Sequence, residues 1–71
     1  MNIPQTLHKM TESPPKDETL PELEISVPVV IYFDDRRLPE IGWRDLEDGE
    51  WSVCGISDPI GWLPVPLYTL P

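Results

Sequence analysis

The sequence is short of the residues that most chemistry needs. Its 71 residues include one cysteine and one histidine. A single thiol, Cys54, excludes an internal disulfide and a multi-thiolate zinc site, and it fits a reducing compartment. His8 has no serine or cysteine near it in sequence, and pairing it with Cys54 would require the N-terminus to fold back across the chain. Cations are also scarce: five Lys and Arg face thirteen Asp and Glu, for a formal net charge of −8. A field of that sign opposes nucleic acid and anionic membrane surfaces. Basic patches interleaved with aromatics, phosphate-cradling glycine loops and metal-ligand spacings are all missing. No apolar run reaches the about 18 residues of a membrane-spanning helix. The first ten residues lack the basic start and long apolar stretch of a signal peptide. The expectation is a cytoplasmic protein that is not an enzyme and takes no cofactor, metal, membrane or direct nucleic-acid partner.

What is present is proline, tryptophan and acid. The length allows one domain, and a globule of this size buries only about 60% of its unfolded-chain surface. So thin a core favours support from a partner or from self-association. Residues 1–19 read as a flexible or short-helical tail. Ser13-Pro14-Pro15-Lys16-Asp17-Glu18-Thr19 favours extended backbone, whereas Ile3, Leu7 and Met10 fall at helical spacing behind Pro4. Residues 20–71 read as a small β domain. Val27-Pro28-Val29-Val30-Ile31-Tyr32-Phe33 has the β-branched and aromatic content of a strand, with Val27, Val29, Ile31 and Phe33 on one face. Pro28 belongs at the start of that strand or on an unpaired edge.

Ile41–Leu46 and Glu50–Ile56 flank Asp48-Gly49, a hairpin signal. Gly61-Trp62-Leu63-Pro64-Val65-Pro66-Leu67-Tyr68 forms a stiff proline strip, expected to lay Trp62, Leu63, Val65 and Leu67 over the open face of the sheet. The predicted fold is mainly β: a small three-stranded antiparallel meander covered by a proline-rich C-terminal strip, with an extended or short-helical N-terminal tail.

Leu20-Pro21-Glu22, the Val-rich strand ending at Tyr32, Asp48-Gly49-Glu50-Trp51 and Gly61-Trp62-Leu63-Pro64-Val65-Pro66 together resemble a family of short phage and prophage proteins of unknown function. The resemblance spans residues 20–66, with Leu63 and Val65 where that family's pattern has Met and Leu. It implies provenance, a phage or prophage accessory protein working in the bacterial host cytoplasm. It implies no activity and transfers no functional residue.

The densest polar cluster is Asp45, Glu47, Asp48 and Glu50 at the hairpin tip. Gly49 falls out of register for a calcium loop, so a solvated, charged turn is expected. Asp34-Asp35-Arg36-Arg37 reads as a self-neutralising turn. Trp51 and Trp62 are expected in the core, and Trp43, in a more polar setting, is the aromatic suited to contact a partner. The candidate partner-binding residues are therefore Trp43, Asp45, Glu47, Asp48 and Glu50.

These features lead to the expectation of a phage-encoded, non-enzymatic binding protein. It would be an acidic inhibitor or adaptor acting on a host or defence-system protein with a basic surface, its carboxylates standing in for nucleic-acid phosphates. The alternative is a structural or assembly module that forms a homodimer or pairs with another phage protein through a sheet edge and the proline strip. The acidity also has a plainer reading, solubility alone.

Overall fold

A computed structural model of the chain describes residues 6–35, 37–53 and 58–66. Its centre is a three-stranded antiparallel sheet built from β1 (Val29–Phe33), β2 (Glu40–Gly42) and β3 (Pro59–Pro64) in the order β2-β1-β3. Among the described residues there is no helix. The fold is mainly β, as the composition of residues 27–33 predicts.

β1 is the central strand, and it carries apolar side chains on both faces. Val29, Ile31 and Phe33 are buried, while Val30 and Tyr32 between them are half-buried. Together with Trp62 the first three form the core, against which Met10, Val27, Trp51 and Val53 pack. Each fully buried side chain of this size contributes about 1.5–3 kcal/mol. Pro28 immediately precedes the first paired residue, where its missing N–H is harmless.

The third strand departs from expectation. It is Pro59–Pro64, which takes in the first four residues of the proline strip, and these pair beside β1 instead of lying across the sheet's face. Pro59 opens β3 and Pro64 closes it, so the interior residues keep their N–H donors and the prolines occupy the ends, where the ladder tolerates them. The register shifts between Tyr32, opposite Gly61, and Phe33, opposite Pro59, which leaves Ile60 as the extra residue of a bulge. Trp62 is thereby set opposite Ile31 in the core. Cys54 and Ile56 of the expected hairpin strand, and Leu67 and Tyr68 of the strip, lie outside the described residues.

A second, irregular ladder joins four short extended segments by single bridges: Lys16 to Ser26, Ile25 to Asp45, and Arg44 to Trp51, all antiparallel. Backbone bonds of 2.7–3.0 Å flank the bridges, including Val27 N to Pro15 O, Ser26 N to Arg44 O, Leu46 N to Glu24 O and Ser52 N to Trp43 O, and the 2.7 Å bond of Asp45 N to Glu50 O. The N-terminal stretch, irregular with one turn at Lys9–Glu12, is tied to both ladders. His8 exchanges two 3.0 Å backbone bonds with Trp62 along the outer edge of β3. Trp62 Nε1 donates to Glu12 O at 3.0 Å, and Trp51 Nε1 donates to Met10 O at 3.3 Å. Leu7 therefore sits in non-helical chain and Met10 in the single turn closed by Glu12 N to Lys9 O at 2.9 Å; Ile3, the first residue of the helical spacing, lies outside the described residues.

Candidate functional site

The hairpin that carries the candidate residues turns where Asp48-Gly49 predicts. Gly49 has φ of 78°, the left-handed conformation that glycine reaches without steric penalty. Asp45 Oδ1 accepts the Glu47 N–H at 2.8 Å, and Asp48 Oδ1 accepts the Glu50 N–H at 2.8 Å. Arg44 Nε donates to Gly49 O at 2.9 Å, bracing the loop from beneath, and its Nη1 reaches Ser13 Oγ at 2.7 Å. Asp45 and Asp48 are thus employed as turn caps, whereas the Glu47 and Glu50 carboxylates project into solvent.

Strand alternation then sorts the side chains. Arg44 and Trp51 face each other across the bridge and share the inner side, with the guanidinium 5.5 Å from the indole. Trp43 and Asp45, one residue to either side of Arg44, take the outer side, as does Ile25 opposite Asp45. Of the five candidates, Trp43, Asp45 and Glu50 therefore fall on one face, with Glu47 and Asp48 at the tip. Trp43 is 45% exposed, while Trp62 is buried and Trp51 half-buried against the core.

Sequence spacing alone did not show the neighbourhood of Trp43. An open cavity of about 260 Å³ beside it is lined by Asp17, Leu20, Ile25, Ser26, Pro28 and Trp43. Asp17 is buried, and its carboxylate accepts from the backbone N–H and the hydroxyl of Thr19, closing the turn that presents Leu20. Leu20 is 44% exposed. The acidic stretch Glu18–Glu24 is joined to the hairpin by the Leu46 N to Glu24 O bond and the Ile25–Asp45 bridge, so two acidic runs distant in sequence meet on one side of the molecule. The separation of more than twenty positions hid this; the alternation Glu22-Leu23-Glu24-Ile25 was the one local signal.

The Asp34–Arg37 turn is tied to the segment before β3 by Asp34 N to Asp58 O at 3.3 Å. Asp35 Oδ1 accepts the Arg37 N–H at 3.1 Å, and the Arg37 guanidinium lies 3.7 Å above the Phe33 ring. Its Nη2 stands 3.2 Å from a Glu40 oxygen, an ion pair without hydrogen-bond alignment, which is why that nitrogen has charge complementarity and yet no bonded acceptor. His8 Nδ1 lies 3.1 Å from Glu12 Oε2, and this hydrogen bond, helped by the Lys9 N–H, draws the Glu12 carboxyl below the ordinary range.

Among the described residues no group of three or more His, Cys, Asp or Glu is arranged to hold a metal ion, and no helix is long and apolar enough to cross a membrane. What the arrangement offers chemically is a face of carboxylates around exposed apolar side chains. No protein-family model, curated protein or solved structure matches the chain.

Proposed function

We propose that the chain is a non-enzymatic binding protein, an acidic inhibitor or adaptor that docks on a basic surface of another protein. The observation that carries this reading is the outer face of the hairpin, where half-exposed Trp43 stands beside Asp45 and Glu50, with Glu47 and Asp48 at the tip. Carboxylates at that rim complement Lys and Arg side chains, and an aromatic anchor adds desolvated contact area. In this reading the protein is phage- or prophage-encoded and acts in the bacterial cytoplasm on a host or defence-system protein, competing for a groove built for nucleic acid. The support for provenance is the motif order across residues 20–66; the support for mimicry is the net charge of −8.

The test is an affinity capture from bacterial lysate at low and high salt, followed by titration of the recovered protein. Converting Asp45, Glu47, Asp48 and Glu50 to their amides leaves carbonyl oxygens to cap the turn while removing four charges. Affinity is expected to fall at least tenfold, with a shallower salt dependence. Unchanged affinity and salt slope would refute the proposal.

A second reading, an assembly module, draws on a different surface. Ile41, Val30 and Leu63 lie directly opposite one another across β2, β1 and β3, on the face away from the core, and Ile41 is 59% exposed. Cα extents of 41 × 41 × 17 Å leave room for little beyond one covered side of the sheet. Association through this face would be insensitive to salt, so sedimentation at two ionic strengths separates it from the acidic interface.

A further inference from the structure

We propose that the cavity beside Trp43 is the anchor pocket of the acidic interface, and that it receives one large aliphatic side chain from a basic segment of the partner. The inference rests on the binding role proposed above and specifies the chemistry of what is bound. Three observations carry it.

The first is the composition of the walls. Leu20, Ile25, Pro28 and Trp43 give an apolar interior, and Leu20 and Trp43 remain 44% and 45% exposed at its mouth. Its volume of about 260 Å³ lies below the roughly 300–1,000 Å³ of small-molecule sites, and suits a single side chain better than a free metabolite.

The second is the charge of the segments that supply the walls. Glu18 and Glu22 stand two positions either side of Leu20, and Asp45 follows Trp43 on the same outer face. The nearby cations are already committed. Lys16 Nζ is 2.7 Å from Glu24 Oε1, and Arg44 is turned to the inner side, toward Gly49 O and Ser13 Oγ. A largely apolar pocket that contains Asp17 and is walled by residues adjacent in sequence to exposed Glu18 and Glu24, with Lys16 and Arg44 engaged elsewhere, complements a hydrophobic residue flanked by Lys or Arg.

The third is rigidity. The pocket walls come from the Asp17–Leu20 turn, locked by the Asp17–Thr19 hydrogen bonds, and from the extended segments that carry Ile25 and Trp43, which the ladder between Ile25 and Asp45 joins. A preformed pocket lowers the ordering entropy of binding. Nucleic-acid mimicry by charge alone would need no such pocket, so a basic protein segment with an apolar anchor is the occupant favoured here.

The probes are an oligolysine peptide and the same peptide with a central leucine, each titrated into the isotope-labelled full chain and followed by amide and indole NMR shifts. The leucine peptide is expected to bind roughly ten- to a hundredfold more tightly, the effect of burying one leucine side chain. It should also move the Trp43 indole resonance. Trp43→Ala and Leu20→Ala, both at half-exposed positions outside the core, should each reduce the leucine peptide toward the oligolysine affinity while the amide spectrum stays dispersed. Equal binding of the two peptides at the hairpin acids would overturn the pocket and leave the acidic interface standing. No binding of either peptide at low salt would overturn both. Leucine-dependent shifts at Ile41 and Leu63, with Trp43 unmoved, would overturn the pocket in favour of the outer sheet face.

Discussion

His8 lies flat on Trp62, ring centroids 4.3 Å apart, while the two backbones exchange a pair of 3.0 Å hydrogen bonds. The contact joins an N-terminal stretch to the strand that completes the sheet, and covers a β3 edge that would otherwise offer unpaired backbone groups to other chains. Since Trp62 is also a core residue, the edge and the core are coupled through one side chain.

That coupling makes Gly61 sensitive. A Cβ there would stand 2.6 Å from Leu7 Cβ and 2.8 Å from His8 O, and the carbonyl cannot move without breaking the His8–Trp62 pairing. Gly61→Ala is expected to destabilise the chain by about 1–3 kcal/mol. Urea unfolding followed by tryptophan fluorescence measures the loss, and amide exchange at His8 reports the detached edge.

Ser26 is fully buried, with its hydroxyl accepting the Arg44 N–H at 2.8 Å and donating to Val27 O at 3.0 Å. Ser26→Ala leaves the Arg44 N–H without that acceptor. The expected loss is about 1–3 kcal/mol in equilibrium unfolding, with the largest chemical-shift changes at Arg44 and Val27.

Gly49→Ala tests the hairpin. The nearest atoms to the added Cβ belong to the flexible Arg44 side chain, Nη2 at 3.3 Å, so the penalty comes from the φ of 78° more than from crowding. A destabilisation of about 1–2 kcal/mol is expected. The same variant should weaken any binding that depends on the placement of Glu47 and Glu50.

Glu12 supplies a pH dependence of known sign. Its carboxyl is held below the ordinary value, chiefly by the hydrogen bond to His8. A depressed carboxylate stabilises the fold above its unfolded pKa, about 4.3, and that contribution disappears as pH falls through the lower folded value. NMR titration should place the Glu12 midpoint below that of a free glutamate. Glu12→Gln should remove this part of the acid-limb pH dependence of unfolding. An ordinary midpoint in the folded chain would show that the His8 contact does not persist in solution.

Much of the sheet was legible locally. The period-two burial of Val29, Ile31 and Phe33, the position of Pro28 before the first pair, and the left-handed turn at Gly49 each follow from one residue type in one local setting. The place of Trp62 in the core was legible as well. The place of Gly61–Pro64 in the sheet was not legible, because prolines within a strip argue against a paired strand unless they fall at its ends, as Pro59 and Pro64 do in β3. The hairpin was legible as a turn; its outer face, where Ile25 comes to stand opposite Asp45, was not, because pairing partners twenty positions apart leave no local pattern.

The sequence by itself determined the β character, the turn at Asp48-Gly49, the acidity and the thinness of the core, because propensity, φ preference and charge are properties of residues and their immediate neighbours. The tertiary structure decided which strand pairs with β1, that His8 caps the edge at Trp62, and that the Leu20 turn meets Trp43 across a cavity between two acidic runs. Those are long-range choices, set by which apolar faces can be buried together while every intervening backbone donor still finds an acceptor.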